Sequence, residues 1–125
     1  MSDKQIVLEV SLHGRPLKRC AFDQEQVAIG RHPTADLVLV HPSISRLHAR
    51  ILNCESRFLL EDCGSSDGTF VNGVRKRTSW LEAGDEIRIG KYCLAVDVCE
   101  AVESYESSSG GLLNYSPTVG VRAAS

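Results

Sequence analysis

Apolar and polar residues alternate with a period of two along most of the chain up to Glu100, and no segment keeps a helical period. Strands or short apolar runs are predicted at residues 6–12, 18–22, 27–30, 37–40, 47–54, 57–62, 69–71, 74–76, 86–89 and 92–98. Turn-forming pairs such as Asn72-Gly73 separate them. Many short strands without long crossovers predict an all-β sandwich or barrel rather than a parallel α/β sheet.

The alternation ends close to residue 100, which sets the expected domain boundary. Residues 103–111 are polar and small, and such a run cannot bury enough surface to become ordered. A chain of 125 residues is the right size for one domain. We therefore expect one folded domain over residues 1–101 and a flexible tail or linker over residues 102–125.

Charge and composition narrow the class of protein. The formal net charge of −2 gives no bulk argument for a nucleic-acid or anionic-membrane partner. No apolar run approaches the roughly 20 residues that span a bilayer, and no signal pattern opens the chain, so we expect a cytoplasmic protein. The cysteines are odd in number and lack CxxC spacing, which favours buried, reduced thiols over disulfides or zinc. They are Cys20, Cys54, Cys63, Cys93 and Cys99.

Three short polar clusters lie between the apolar runs and do not have the pattern of packing elements. They are Gly30-Arg31, residues 43–48 and residues 65–73. Together they supply two arginines, several hydroxyls and glycine-opened backbone N–H groups. This chemistry suits a dianion such as a phosphorylated side chain, held without metal or cofactor.

Each polar residue also has a simpler interpretation when it is considered alone. Arg31 either grips two phosphate oxygens with its fork or forms a solvated ion pair. Ser45 and Ser66 are either ligand contacts or turn-stabilising serines. Arg46 is either a second cation of the same site or a solvent-facing residue.

No catalytic site is predicted. His48 follows Ser45 by three residues, but a partly buried histidine that ties loop backbone together is favoured over a nucleophile and its base. Residues 64–68 fit the letters of the GxSxG hydrolase elbow, yet a strand follows them and all four histidines precede Ser66. The clusters therefore favour a binding function over catalysis.

Taken in order, the three clusters resemble the forkhead-associated (FHA) domain, a phosphothreonine-recognition β-sandwich. The resemblance covers roughly residues 5–100 and includes residues 59–62 and 84–90, which fit the family pattern as well. It implies two twisted, mostly antiparallel sheets of about eleven strands, with a peptide held by loops at one end.

The resemblance also implies roles for individual residues. Arg31 and Ser45 would contact the phosphate, Arg46 would add a further contact, and Ser66 would donate to the phosphate or frame the threonine methyl. Asp67 stands where the family commonly has asparagine, so it loses a donor and adds negative charge. It could instead accept from a peptide N–H or pair with Arg46. The expected loop-structuring residues are Gly30, His48, Gly68, Thr69, Asn72 and Gly73, of which Asn72 could also reach the peptide backbone.

These observations predict a non-catalytic module that captures phosphothreonine in a partner and thereby depends on a Ser/Thr kinase, with no cofactor. The alternative is a phosphate-independent interaction module on the same sandwich. Flanking-residue selection is expected from loops at residues 41–44 and 76–80. In the tail, Thr118 is either an in-cis ligand once phosphorylated or part of an inert linker.

Overall fold

A computed structural model describes residues 4–100, which form eleven β-strands and no helix that could cross a membrane. They are β1 (Lys4–Leu12), β2 (Arg15–Phe22), β3 (Gln26–Gly30), β4 (Leu37–Val38), β5 (Ala49–Cys54), β6 (Arg57–Asp62), β7 (Thr69–Val71), β8 (Val74–Arg75), β9 (Thr78–Leu81), β10 (Glu86–Ile89) and β11 (Tyr92–Glu100). One sheet has the order β2-β1-β11-β10-β7-β8 and the other β4-β3-β5-β6-β9. Only the β3–β4 pair is parallel among these strands, so the predicted mostly antiparallel sandwich is confirmed.

The core lies between the two sheets and is built by the alternation seen in the sequence. In β10, Ile87 and Ile89 are fully buried whereas the residues between and before them are exposed. Burying each such side chain contributes roughly 1.5–3 kcal/mol. The loop residue Ile44 is 1% exposed and belongs to the same core, so it anchors the segment before β5.

Several predicted strand bounds differ from the observed ones: the strand predicted from residue 18 begins at Arg15, and the strand predicted from residue 47 begins at Ala49. Two larger errors have a local explanation. The run 37–40 is a strand only over Leu37–Val38. Leu39 still donates its N–H to the Gly30 carbonyl at 2.9 Å, but the chain then enters a turn in which the Ile44 N–H donates to the His41 carbonyl at 3.0 Å. The loop expected at residues 76–80 contains most of β9. This edge strand pairs with β6 although it buries only Leu81, so its pairing leaves little apolar signal in the sequence.

The cysteines are less buried than expected. All five are free thiols, Cys54 is exposed, and the others are only partly covered. Burial raises the pKa of Cys63, Cys93 and Cys99, which keeps these thiols protonated at neutral pH. The predicted tail at 102–125, including Thr118, lies outside the described residues.

Candidate functional site

The site begins where β3 passes very close to the loop before β5. A Cβ on Gly30 would lie 2.1 Å from the Arg46 carbonyl oxygen and 3.0 Å from that of Ser45. Only glycine permits the two backbone segments to come so close. A hydrogen bond from the Arg31 N–H to the Ser45 carbonyl at 3.0 Å joins them. His32 N–H similarly donates to the Arg46 carbonyl at 3.2 Å. The first two polar clusters are therefore held side by side by backbone contacts.

Arg31 is oriented by one hydrogen bond and keeps the rest of its fork free. Its Nε donates to the Ile44 carbonyl at 2.9 Å, and Ile44 is fixed in the core. Its two terminal nitrogens make no hydrogen bond or ion pair within residues 4–100. The solvated ion pair considered as its simpler role is thus absent from that part of the chain. A planar donor fork is presented to solvent in a fixed direction.

His48 joins the second and third polar clusters from inside the protein. Its side chain is 0% exposed, and its Nδ1 accepts the Ser45 N–H at 3.2 Å. Nε2 must then carry the proton, and it donates to the Gly68 carbonyl at 2.9 Å. Both ring nitrogens are occupied by backbone, so His48 cannot act as a base toward the Ser45 hydroxyl.

Asp62 organises the third cluster, although it was not among the residues predicted to form the site. One carboxylate oxygen accepts the N–H groups of Gly64 and Ser65, each at 3.1 Å. The other accepts the hydroxyls of Ser65 and of the fully buried Thr69, the latter at 2.7 Å. Burial favours a higher pKa for Asp62, but these hydroxyl and N–H donors outweigh it and lower the pKa. The Asp-x-x-Ser spacing at a strand end is the signal that could have identified this turn.

Ser66 and Asp67 form the exposed tip of the third cluster. The N–H of Gly68 donates to the Ser65 hydroxyl oxygen at 3.0 Å, and Gly68 itself has a φ of +89°, which favours glycine. Neither the Ser66 nor the Asp67 side chain is bonded to another described residue. The pairing of Asp67 with Arg46 that the sequence left open is therefore not formed within residues 4–100.

Asn72 is placed away from this tip, at the other end of β7. Its amide nitrogen donates to Asp85 at 3.1 Å, and its amide oxygen accepts the Glu86 N–H at 3.0 Å. Asn72 and Gly73 have φ values of +51° and +84° and form the turn between β7 and β8. Both polar atoms of the Asn72 amide are used inside the protein, so it acts on loop shape at that end.

Several polar groups of the linked loops have no partner within residues 4–100. They are the terminal nitrogens of Arg31, the Arg46 guanidinium and the hydroxyls of Ser45 and Ser66. Cations and hydroxyl donors on a rigid frame suit an anion. No group of three or more metal-ligating side chains occurs among residues 4–100.

A model of the FHA domain matches residues 27–90, just over half of the chain. The chain belongs to the FHA domain family. This family recognises phosphothreonine and is not catalytic, so the predicted recognition module is confirmed at the level of the family.

Two bacterial relatives show what such FHA chains are called. The chain is 43% identical over 76 residues to the oxoglutarate dehydrogenase inhibitor of Corynebacterium jeikeium, which covers 61% of this chain and 53% of that protein. It is 34% identical over 93 residues to the glycogen accumulation regulator GarA of Mycobacterium tuberculosis, covering 74% and 57% respectively. The chain therefore spans about half the length of the curated relatives it matches. Their names describe an inhibitor and a regulator.

Solved FHA structures agree with the fold. A structure from a study of phosphothreonine-dependent FHA domain interactions superimposes with a TM-score of 0.68 at 27% identity, covering 74% of this chain and 95% of the other. Mycobacterium tuberculosis EmbR in complex with a low-affinity phosphopeptide gives 0.70 at 25% identity, covering 80% and 26%. The FHA sandwich of this chain thus matches proteins studied for phosphopeptide binding.

Proposed function

We propose that this chain binds a phosphothreonine peptide at the loop end of its sandwich, with Arg31 and Ser45 contacting the phosphate. The observation that carries the proposal is the geometry of Arg31. Its Nε is tied to core-anchored Ile44, while its terminal nitrogens stay unpaired among the described residues. Such preorganisation lowers the entropic cost of gripping a phosphate with two charge-assisted bonds.

The neighbouring residues have complementary roles in this proposal. Arg46 adds a second cation, Ser66 donates to the phosphate or lies beside the threonine methyl, and Asp67 faces the peptide backbone. Behind them Gly30, His48, Gly68 and Thr69 hold the binding loops in shape without touching the ligand. At the far end of β7, Asn72 and Gly73 hold a separate turn in shape. The binding unit spans residues 1–101, and the remaining residues serve as a tail.

Calorimetric titration tests the proposal with matched phosphothreonine, phosphoserine and unphosphorylated peptides. We expect selective phosphothreonine binding that Arg31→Ala weakens by roughly a hundredfold or more, because two charge-assisted bonds contribute about 3 kcal/mol. Arg57→Ala is the matched control, since Arg57 begins β6 at the end away from the site. Wild-type affinity in Arg31→Ala would contradict the assignment.

A phosphate-independent function is the second candidate, and one observation favours it. The Asp67 carboxylate is exposed, unpaired within residues 4–100, and close in sequence to the proposed phosphate contact Ser66. The name of the Corynebacterium jeikeium relative makes oxoglutarate dehydrogenase a partner to try first. Binding to that enzyme that survives both phosphatase treatment and Arg31→Ala would indicate this second function.

The proposed phosphothreonine ligand implies a kinase and a cellular compartment for this chain. A Ser/Thr kinase must act on the partner before it can bind, and we expect this chain and the kinase to share the cytoplasm. We expect neither nucleic acid nor membrane as a partner, since the net charge of −2 gives neither a general attraction.

Phosphorylated Thr118 could occupy the site in cis, and the fold permits the required path. β11 starts at Tyr92, whose hydroxyl donates to the Val40 carbonyl at 3.3 Å in the loop that also carries Ser45. Eight residues later it ends at Glu100, roughly 27 Å away. Thr118 follows Glu100 by 18 residues, a contour of up to about 60 Å. The tail is thus long enough to return.

External-peptide affinity before and after Thr118 phosphorylation tests this occlusion, with Thr118→Ala as the control. We expect phosphorylation to weaken external binding only when Thr118 is present, because a tethered ligand competes at high effective concentration. Equal affinities would show that the segment is an inert linker.

A further inference from the structure

A basic and aromatic cluster lies on the outer face of the six-stranded sheet, and none of its members belongs to the site described above. Phe70 pairs with Arg75 on one side and with Arg88 on the other. Its neighbours Thr69 and Val71 are buried, so Phe70 and its partners face outward. The Arg88 guanidinium carbon lies 4.5 Å from the centroid of the Phe70 ring, a cation–π contact.

This cluster is continuous with the phosphopeptide loops through Gly68. A Cβ on Gly68 would lie 2.5 Å from Nε and 2.9 Å from Cζ of Arg75. Arg75 therefore lies across Gly68, next to the exposed tip at Ser66 and Asp67. Because Gly68 is also hydrogen-bonded to His48, the same residue supports the binding loop and the Arg75 side chain.

The charges of the two arginines are not neutralised by an ion pair within the described part of the chain. Neither Arg75 nor Arg88 makes a hydrogen bond or an ion pair with any of residues 4–100, whose ion pairs are Arg19 with Glu9 and Arg50 with Glu61. Two unpaired guanidinium groups on neighbouring strands, one over the Phe70 ring and one across Gly68, favour a carboxylate as the group they bind.

We propose that Arg75 and Arg88 bind an acidic side chain of the same phosphopeptide, close to the phosphothreonine, and so set its flanking preference. The inference rests on the proposed function. Gly68 and Phe70 are two strand positions apart, about 7 Å, and neighbouring strands are about 5 Å apart. An extended peptide that leaves the site over Gly68 therefore reaches the cluster within about four residues of the phosphothreonine.

Titration with a series of phosphothreonine peptides tests the inference. The parent peptide has alanine flanks, and each of the others carries one glutamate at a position from four residues before to four residues after the phosphothreonine. We expect glutamate on one side to strengthen binding roughly two- to fivefold, the range of an exposed ion pair. Raising the salt to about 1 M should remove most of this gain.

Matched variants then show which arginines cause the stronger binding of the glutamate-containing peptide. Arg75→Gln and Arg88→Gln should abolish it while they keep the affinity for the alanine-flanked peptide. Arg57→Gln should leave it intact, because Arg57 stacks on Trp80 at 4.1 Å in the same manner but on the other sheet. Melting temperatures confirm that each variant is folded.

The outcomes separate this inference from the proposed function. If the alanine-flanked peptide binds but glutamate helps nowhere, or helps equally in Arg75→Gln and Arg88→Gln, only the acidic preference is wrong. If no phosphopeptide binds to the folded wild-type protein, the proposed function and this inference are both wrong.

Discussion

Both ends of β7 carry a network of side-chain hydrogen bonds, but the two ends differ in what lies above that network. At its far end, Asn72 exchanges hydrogen bonds with Asp85 and Glu86, and the second Asp85 oxygen accepts the Glu82 N–H at 2.8 Å. At the loop end, His48 and Asp62 form an equally complete network. The difference is that the loop end carries a further layer of polar groups above this network.

That outer layer has no partner within residues 4–100. The terminal nitrogens of Arg31 and the hydroxyls of Ser45 and Ser66 are held in place by their backbone but bonded to nothing there. Polar groups that are satisfied internally stabilise a fold, whereas positioned and unsatisfied ones are available to a ligand. The difference therefore supports the proposed binding role for the loop end of β7 and a structural role for its far end.

Gly30→Ala should have the largest effect, because it breaks the frame beneath the outer layer. The added Cβ would clash with the Arg46 carbonyl oxygen, which is backbone and cannot move aside alone. We expect a loss of about 3 kcal/mol in the free energy of unfolding and no measurable phosphopeptide binding. Urea unfolding and calorimetric titration measure the two effects.

Gly73→Ala is the matched control at the far end. Gly73 has a φ of +84°, but a Cβ there would meet only open space, so alanine is strained without a clash. We expect about 1 kcal/mol of destabilisation and unchanged affinity in the folded protein. Equal losses of affinity in both variants would contradict the division between the two ends.

Replacing the residue that cross-links each end of β7, His48 at the loop end and Asn72 at the far end, should lower the free energy of unfolding by less than Gly30→Ala does. His48→Leu leaves the Ser45 N–H and the Gly68 carbonyl unpaired beside a buried side chain, which costs about 2 kcal/mol and separates the two binding loops. Asn72→Ala removes two hydrogen bonds at a more exposed position and should cost about 1 kcal/mol. Titration should show weaker phosphopeptide binding for His48→Leu alone. A comparable loss for Asn72→Ala would place both ends in the binding machinery.

Asp62 makes the loop end sensitive to acid. Its pKa in the folded protein is below the ordinary value of 3.8, so its contribution to stability is present above that value and is lost as the pH falls through the lowered pKa. Asp62→Asn should be less stable than wild type by about 1–2 kcal/mol at pH 7. Urea unfolding at pH 7, 5, 4 and 3 should show this gap closing below pH 4. A gap that stays constant to pH 3 would show that the charge of Asp62 is not what stabilises the loop.

The sequence predicted the sandwich well because alternation directly reports which strand face is buried. It predicted β9 poorly because an edge strand that buries only Leu81 has little alternation. At the site, hydroxyl and arginine patterns identified the polar residues, but not the hydrogen bonds among them. The role of Asp62 depends on four hydrogen-bond donors that a turn brings together. The position of the Arg75 side chain across Gly68 depends on the register of the β7–β8 hairpin. These contacts join groups that only the folded chain brings together, so residue patterns along the sequence did not predict them.

Asp67→Asn should change the free energy of unfolding least of these substitutions, and it tests what the Asp67 carboxylate does in the outer layer. The substitution removes a negative charge beside the proposed phosphate and restores an amide donor where the resemblance implies one. We expect the affinity for a phosphothreonine peptide to rise by about fivefold, equivalent to roughly 1 kcal/mol. Stability should not change, since Asp67 is exposed and its side chain is bonded to none of the described residues. A weaker affinity in Asp67→Asn would instead show that the carboxylate accepts a peptide N–H, and that this chain reads the peptide backbone through an acceptor.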